Sequence, residues 1–269
     1  MIRKITSVTN SEIKEYSKLL KKSKSRRESK LFLIEGRREL NIAIKNNYSI
    51  KKIMFNPTLI DINEVKKYVG DEVECIEVNQ NVYNKISYRS STEGIIALAE
   101  EKNHKLEKLK FKSTIPLIMI LDGIEKPGNI GALLRTFDAA KVDAVFIVNQ
   151  KTDLYNPNII RSSIGCLFSN QIILSNTKET IDFLNKTKIK ILSTSLTASK
   201  QYQKINYKQA CAIVLGSEDK GISKEWYSQS NELIYIPMEG HIDSLNVSNS
   251  GAIIIYEAKR QRNFNNYKS

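Results

Sequence analysis

Hydrophobic and polar positions fall into two textures along the chain. In the second half, short unbroken apolar runs alternate with helix-spaced segments. The runs predict strands over 116–121, 144–148, 190–195, 212–216 and 233–237, and the segments between them predict helices over 129–140, 157–165, 178–185 and 247–261. Apolar runs without a polar alternation belong to strands covered on both faces, so this half reads as a parallel sheet between two helical layers. The first half is less regular. A basic stretch reaching Lys30 precedes a strand "LFLIEG", a helix "RRELNIAIKNN", a strand "IKKIMFN" closed by Pro57, a helix over 63–69, and the strands "VECIEV" and "GIIALAE". That is a small α/β unit. Between the halves, "EKNHKLEKLKFKST" has neither turn chemistry nor a sustained apolar face and reads as a linker. The expected division is therefore 1–105, a linker 106–114, a domain over 115–262 and a tail 263–269.

A parallel sheet binds ligands beyond the carboxyl ends of its strands. This singles out the loops after Leu121, Ser195, Gly216 and Ile236. The first, "LDGIEKPGNIGALLRTFDAA", has neither G-x-G-x-x-G nor the Lys-Ser/Thr that ends a phosphate-binding loop. It offers Asn129 as a helix N-cap, Gly131 for close backbone approach, and Arg135, whose long side chain could cover an anion at the helix N-terminus. A capped helix with a surface arginine is the alternative. The second loop, "GSEDKG", sets Glu218 on a glycine-flanked turn, where an acid either binds hydroxyls or is simply solvated. The third runs from Pro237 and Met238 through Ser244, Asn246 and Ser248 into the last helix. A cap accounts for one of these polar residues and leaves the others for a pocket or a second chain. Ser244 is no hydrolase nucleophile, because no Ser-His-Asp order accompanies it and His241 lies too close in sequence.

Charge changes this picture more than composition does. The chain carries a net +13, and the excess is concentrated early: residues 1–114 hold 24 Lys and Arg against 15 Asp and Glu, and the remainder 18 against 14. The densest run, Lys18 to Lys30, opposes seven basic residues to Glu28 alone. Nucleic acid is the polyanion this suits, with a solvated helix face as the alternative. Lys22, Lys24, Arg26 and Arg27 in the run, with Arg37 after it, are the candidate phosphate contacts. Cys75, Cys166 and Cys211 stand far apart among apolar neighbours and, with His104 and His241, match no metal-ligand spacing. No apolar run approaches the roughly 20 residues of a membrane span and no signal-peptide pattern opens the chain, so a cytoplasmic setting is expected.

Taken in order, the three loops resemble the SpoU family of RNA ribose 2′-O-methyltransferases, within the SPOUT superfamily. The resemblance rests on Asn129, Gly131 and Arg135; on Gly216, Glu218 and Gly221; and on Pro237, Met238, Gly240, Ser244, Leu245, Asn246, Val247 and Ser248. The segments "LFLIEGRREL" and "EGIIALAE" are similar to that family's small substrate-binding domain, which has a ribosomal-protein-like α/β fold. The resemblance implies S-adenosylmethionine as methyl donor, held by a deep C-terminal trefoil knot against Leu196, Gly216, Ile236, Met238, Ser244 and Leu245. It implies a homodimer formed through the C-terminal domain. It also implies a catalytic set of Arg135, Asn129, Glu218, Ser244 and Asn246, with Arg135 also meeting the RNA. Whether Arg135 acts as base or as clamp, whether ribosomal or transfer RNA is modified, and whether the fold is catalytically idle stay open at this point. Ribosomal RNA of the large subunit is preferred. Asn249, Ser250 and Gly251 occupy a turn where the family often has small apolar residues, so close helix packing is less expected there.

Overall fold

The computed structural model describes residues 2–88, 93–198 and 200–264, and the end of the expected tail, 265–269, lies outside them. The chain forms two compact units, residues 1–102 with 153–169, and residues 103–152 with 170–269. This differs from the expected division in two places.

The first unit begins with β1 (Arg3–Ile5), α1 (Ser11–Lys21), α2 (Ser23–Ser29), β2 (Leu31–Glu35), α3 (Arg37–Lys45), β3 (Ile50–Phe55), α4 (Ile62–Val69), β4 (Glu74–Val78), α5 (Gln80–Ile86) and β5 (Ile95–Glu100). Its sheet runs β1-β4-β3-β5-β2, parallel across β1, β4 and β3 and antiparallel on both sides of β5. Ile13, Tyr16 and Leu19 of α1 and Val82, Tyr83 and Ile86 of α5 fill one face. Asn10 caps α1 by accepting from the Glu12 N–H, and the apolar 3-4 spacing inside an otherwise basic stretch makes it a helix with one buried side.

The second unit opens with a 3-10 turn at Leu106–Lys108, followed by β6 (Leu117–Asp122), α6 (Pro127–Ala139) and β7 (Ala144–Val148). The expected linker is thus no free spacer, because Leu106, Leu109 and Phe111 pack against the core under the sheet. The chain then contributes α7 (Pro157–Ser162) and α8 (Cys166–Ser169) to the first unit. There Tyr155 stacks on Phe32 with ring centres 4.0 Å apart, and Phe168 lies edge-on to Tyr48 at 4.9 Å. The single helix expected over 157–165 is broken because Ile164 and Gly165 both take positive φ.

The second unit continues with β8 (Ile172–Ser175), α9 (Thr177–Lys186), β9 (Lys190–Thr194), β10 (Lys200–Gln201), β11 (Cys211–Leu215), α10 (Lys224–Gln229), β12 (Glu232–Tyr235) and α11 (Val247–Gln261). All seven strands are parallel, in the order β10-β12-β9-β11-β6-β7-β8. β11 lies near the middle and is buried along its whole length, as its unbroken apolar run requires. The helix α6 starts at Pro127, whose missing N–H costs nothing at a first turn, so Asn129 is a third-position residue and not the N-cap expected. Asn249, Ser250 and Gly251 belong to the helix expected over 247–261. They lie in the first two turns of α11, and Gly251 is buried where α11 packs on α6. A Cβ there would come within 2.5 Å of the Leu133 side chain, so glycine closes the helix packing that the sequence seemed to loosen.

Candidate active site

Parallel β9, β11 and β12 end at the same edge of the sheet, and the loops beyond them enclose a cavity of about 630 Å³. Its wall combines Thr194 to Thr197, Leu215 to Gly221, Ile234 to Ile236 with Met238, and Asp243 to Val247 with Ser250 and Ile254 of α11. All six residues expected to hold a donor, Leu196, Gly216, Ile236, Met238, Ser244 and Leu245, lie on that wall.

Gly216 fixes the cavity's shape. The chain reverses just after it, with the Ser217 and Gly221 backbones exchanging two hydrogen bonds of 2.9 Å and Gly221 at φ +65°. A Cβ on Gly216 would overlap the backbone of Gly221 and Ile222. The base of this hairpin is anchored by Asp122, a buried carboxylate at the end of β6. Asp122 accepts from the Ser223 N–H at 2.7 Å, the Ser223 hydroxyl at 2.8 Å and the Asn149 amide at 2.8 Å.

The hairpin presents Glu218 to residues distant in the chain. Its Oε1 accepts from the Asn129 amide at 2.6 Å and the Asn246 amide at 2.8 Å, while Oε2 pairs with Lys126. The Asn246 amide also reaches Asn129 Oδ1 at 3.3 Å, and its own Oδ1 caps α11 through the Ser248 N–H and hydroxyl. One asparagine therefore starts the last helix and joins the cluster. The Lys126 ammonium holds the Glu218 carboxyl below its ordinary value, assisted by Asn129. A hollow of about 50 Å³, bounded by Lys126, Asn129 and the same hairpin, adjoins the cluster.

Of the expected catalytic set, Asn129, Glu218 and Asn246 are brought together and Ser244 lies on the cavity wall. Ser244 makes no side-chain hydrogen bond among the described residues. Arg135 is not brought in. It sits six positions beyond Asn129, roughly 120° around the helix, exposed and without a hydrogen bond or ion pair among the described residues. Lys126 was missed by sequence reasoning. Its only signal was a cation one turn ahead of Asn129 beside a helix-starting proline.

Two expected RNA contacts are otherwise engaged. Arg26 is 4% exposed, pairs with Asp153 and donates to the Leu19 carbonyl at 2.5 Å, because α2 turns that side chain inward. The Arg37 guanidinium is divided among Glu64 and the carbonyls of Leu59 and Glu93. Lys22, Lys24 and Arg27 are exposed. Among the described residues no cluster suited to a metal ion occurs, and no helix is long and apolar enough to cross a membrane.

The cavity suits a nucleoside-sized ligand. Its volume lies in the range of small-molecule sites, and apolar Leu196, Leu215, Ile236, Met238 and Leu245 are joined by backbone polar groups at three strand ends. The residues present therefore fit a sulfonium-bearing nucleoside.

Residues 116–256 match the SpoU rRNA methylase family, and residues 10–97 match an MRM3-like substrate-binding domain. The chain is 26% identical over 258 residues, 96% of its length and 100% of the relative's, to the 23S rRNA (guanosine(2553)-2′-O)-methyltransferase RlmP of Bacillus subtilis. Among solved structures, an RNA 2′-O ribose methyltransferase aligns at 36% identity and TM-score 0.83, covering 96% of this chain and 99% of that one. An rRNA methyltransferase from Sinorhizobium meliloti with AdoMet bound aligns at 27% identity and TM-score 0.88, covering 96% and 98%. With residues 116–256, more than half of its length, matched by the family's model, this chain belongs to the SpoU rRNA methylase family.

Proposed function

We propose that the protein transfers a methyl group from S-adenosylmethionine to a ribose 2′-hydroxyl of ribosomal RNA, with the large-subunit RNA as target. The observation that carries this reading is the Lys126–Glu218–Asn129–Asn246 cluster at the rim of an apolar cavity built from three strand ends. Leu196, Gly216, Ile236, Met238, Ser244 and Leu245 would hold the donor, which supplies an electrophilic methyl group when bound. Glu218 fixes both asparagine amides, so the rim presents a preset hydrogen-bonding surface that needs no rearrangement when a ribose arrives. Arg135 clamps the target phosphate and stabilises charge developing on the attacking oxygen. A guanidinium stays protonated at neutral pH and cannot serve as the base. Lys22, Lys24 and Arg27 contact RNA phosphates.

Asn129 and Arg135 lie roughly 120° apart around α6, which favours a clamp that reaches the cluster from a second copy. We propose that two copies pair through α6 and the exposed side of α11, where Tyr256 is 45% exposed, and that each supplies Arg135 to the other. The β12-β9-β11-β6 order supports a further proposal, that the final segments thread a trefoil knot, to be read from an experimentally traced chain. RNA as substrate supports a cytoplasmic setting. The central test is calorimetric titration with S-adenosylmethionine, together with methyl transfer to unmodified transcribed 23S rRNA and mapping of the product. Donor binding and a single 2′-O-methyl are expected. Failure to bind the donor would overturn the reading.

A further inference from the structure

Tyr88 follows α5 in the first unit with 43% of its surface exposed, although Ile86, two residues earlier, is buried. It borders a shallow trough floored by Leu20, Leu33, Ile86 and Ile96 and walled by Ile160 and Arg161 of α7. The Arg161 guanidinium lies over the Tyr88 ring, 5.9 Å from its centre. The Tyr88 N–H donates to the Glu35 carboxylate at 2.6 Å, which ties the backbone to the end of β2. Leu20 of the trough is followed directly by exposed Lys21 and Lys22.

The depression has room for only about 20 Å³, far too little to enclose a side chain or a small molecule. A planar ring laid across an exposed aromatic needs no depth, and every nucleobase has such a face. A cation over the same ring strengthens that contact, and the lysines at the end of α1 favour a polyanion over a peptide. We propose that the substrate-binding unit holds an unpaired base of its RNA substrate on Tyr88 and Arg161, with the adjoining phosphates along Lys21 and Lys22. This rests on the methyltransferase reading above and adds to it a contact by which single-stranded RNA is selected.

The test uses the full chain and unmodified transcribed 23S rRNA at fixed salt, measuring RNA affinity, KM, kcat and donor affinity. Tyr88→Ala is expected to weaken RNA binding and raise KM by about 10-fold or more, with kcat and donor affinity unchanged, whereas Tyr88→Phe behaves as wild type. Arg161→Gln gives a smaller loss in the same direction. Wild-type RNA affinity in Tyr88→Ala, or a Tyr88→Leu variant as competent as Tyr88→Phe, would overturn the stacking proposal while leaving the enzyme reading intact. A wild-type chain that binds RNA and donor without methyl transfer would overturn the enzyme reading, and the contrast between Ala and Phe in RNA affinity would still decide the stacking contact.

Discussion

Glu218 is the residue on which two distant stretches of sequence converge, one carrying Lys126 and Asn129 and the other Asn246. Glu218→Gln keeps the side chain's shape and one carbonyl acceptor but turns an amide toward the Lys126 ammonium, so the rim loses its alignment. Misplacement of this size is expected to lower kcat/KM by about 100-fold with donor affinity little changed, measured with labelled donor. The dependence on pH follows from the same contacts. Lys126 favours the ionised carboxylate, so Glu218 titrates below its ordinary value of 4.5 once folded. Its contribution is therefore fully present above the unfolded carboxylate range and is lost as pH falls through the depressed value. The difference in Tm between the wild type and Glu218→Gln should stay constant from pH 7 to about 5 and close only at lower pH. Gly216 is constrained by space rather than charge. Gly216→Ala must push the hairpin off its own backbone, and calorimetry should show loss of donor binding along with a fall in Tm.

At the scale of elements, Asp122 does for the hairpin what Asn246 does for α11. Its carboxylate receives three donors, two of them from Ser223, and Asp122→Asn would oppose one of those donors with another inside a buried site. A cost of about 1–3 kcal/mol is expected, read as a lower denaturation midpoint, with weaker donor binding as the hairpin loosens. The helix that completes the cavity was legible in the sequence to the residue. Val247, Gly251, Ile254, Ile255 and Ala258 repeat at helical spacing after a capping asparagine, and nothing nearby competes with that pattern. The strands β6, β7, β9, β11 and β12 were legible from their unbroken apolar runs. Others were not: β10 has only two residues and sets up no period, and α1 was passed over because the lysines around Ile13, Tyr16 and Leu19 drew more weight than the helical spacing of those three. Asn129 was misread as a cap because the polar residue drew more weight than Pro127 two places earlier. The cluster itself has no local signature, since Asn129 and Asn246 meet across 117 residues of chain. It came into view through resemblance to a family and not through spacing.

For the whole molecule, charge and the proposed pairing bear on how RNA and catalysis meet. The Lys18–Lys30 run looked uniformly suited to phosphate, yet its helices bury one side, and Arg26 serves the fold while Lys22, Lys24 and Arg27 remain at the surface. Arg26→Gln, which leaves Asp153 buried without its cation, should destabilise by about 3–5 kcal/mol in denaturant titration. Replacing Lys22, Lys24 and Arg27 together with Gln should leave stability nearly unchanged. The logarithm of the RNA-binding constant should then fall less steeply with the logarithm of salt concentration, by roughly 0.7–0.9 in slope for every phosphate that is no longer neutralised. Pairing is tested by combining defects. If Arg135 of one copy completes the cavity of the other, Arg135→Ala and Glu218→Ala are each inactive alone, but a mixed pair contains one cavity with an intact Glu218 facing an intact Arg135. Co-expression with random pairing makes half the pairs mixed, each with one working cavity of two, so about a quarter of wild-type methyl transfer should return. A mixture no more active than either variant would mean that Arg135 acts within its own chain or not at all, and the role assigned to it across the pair would be withdrawn.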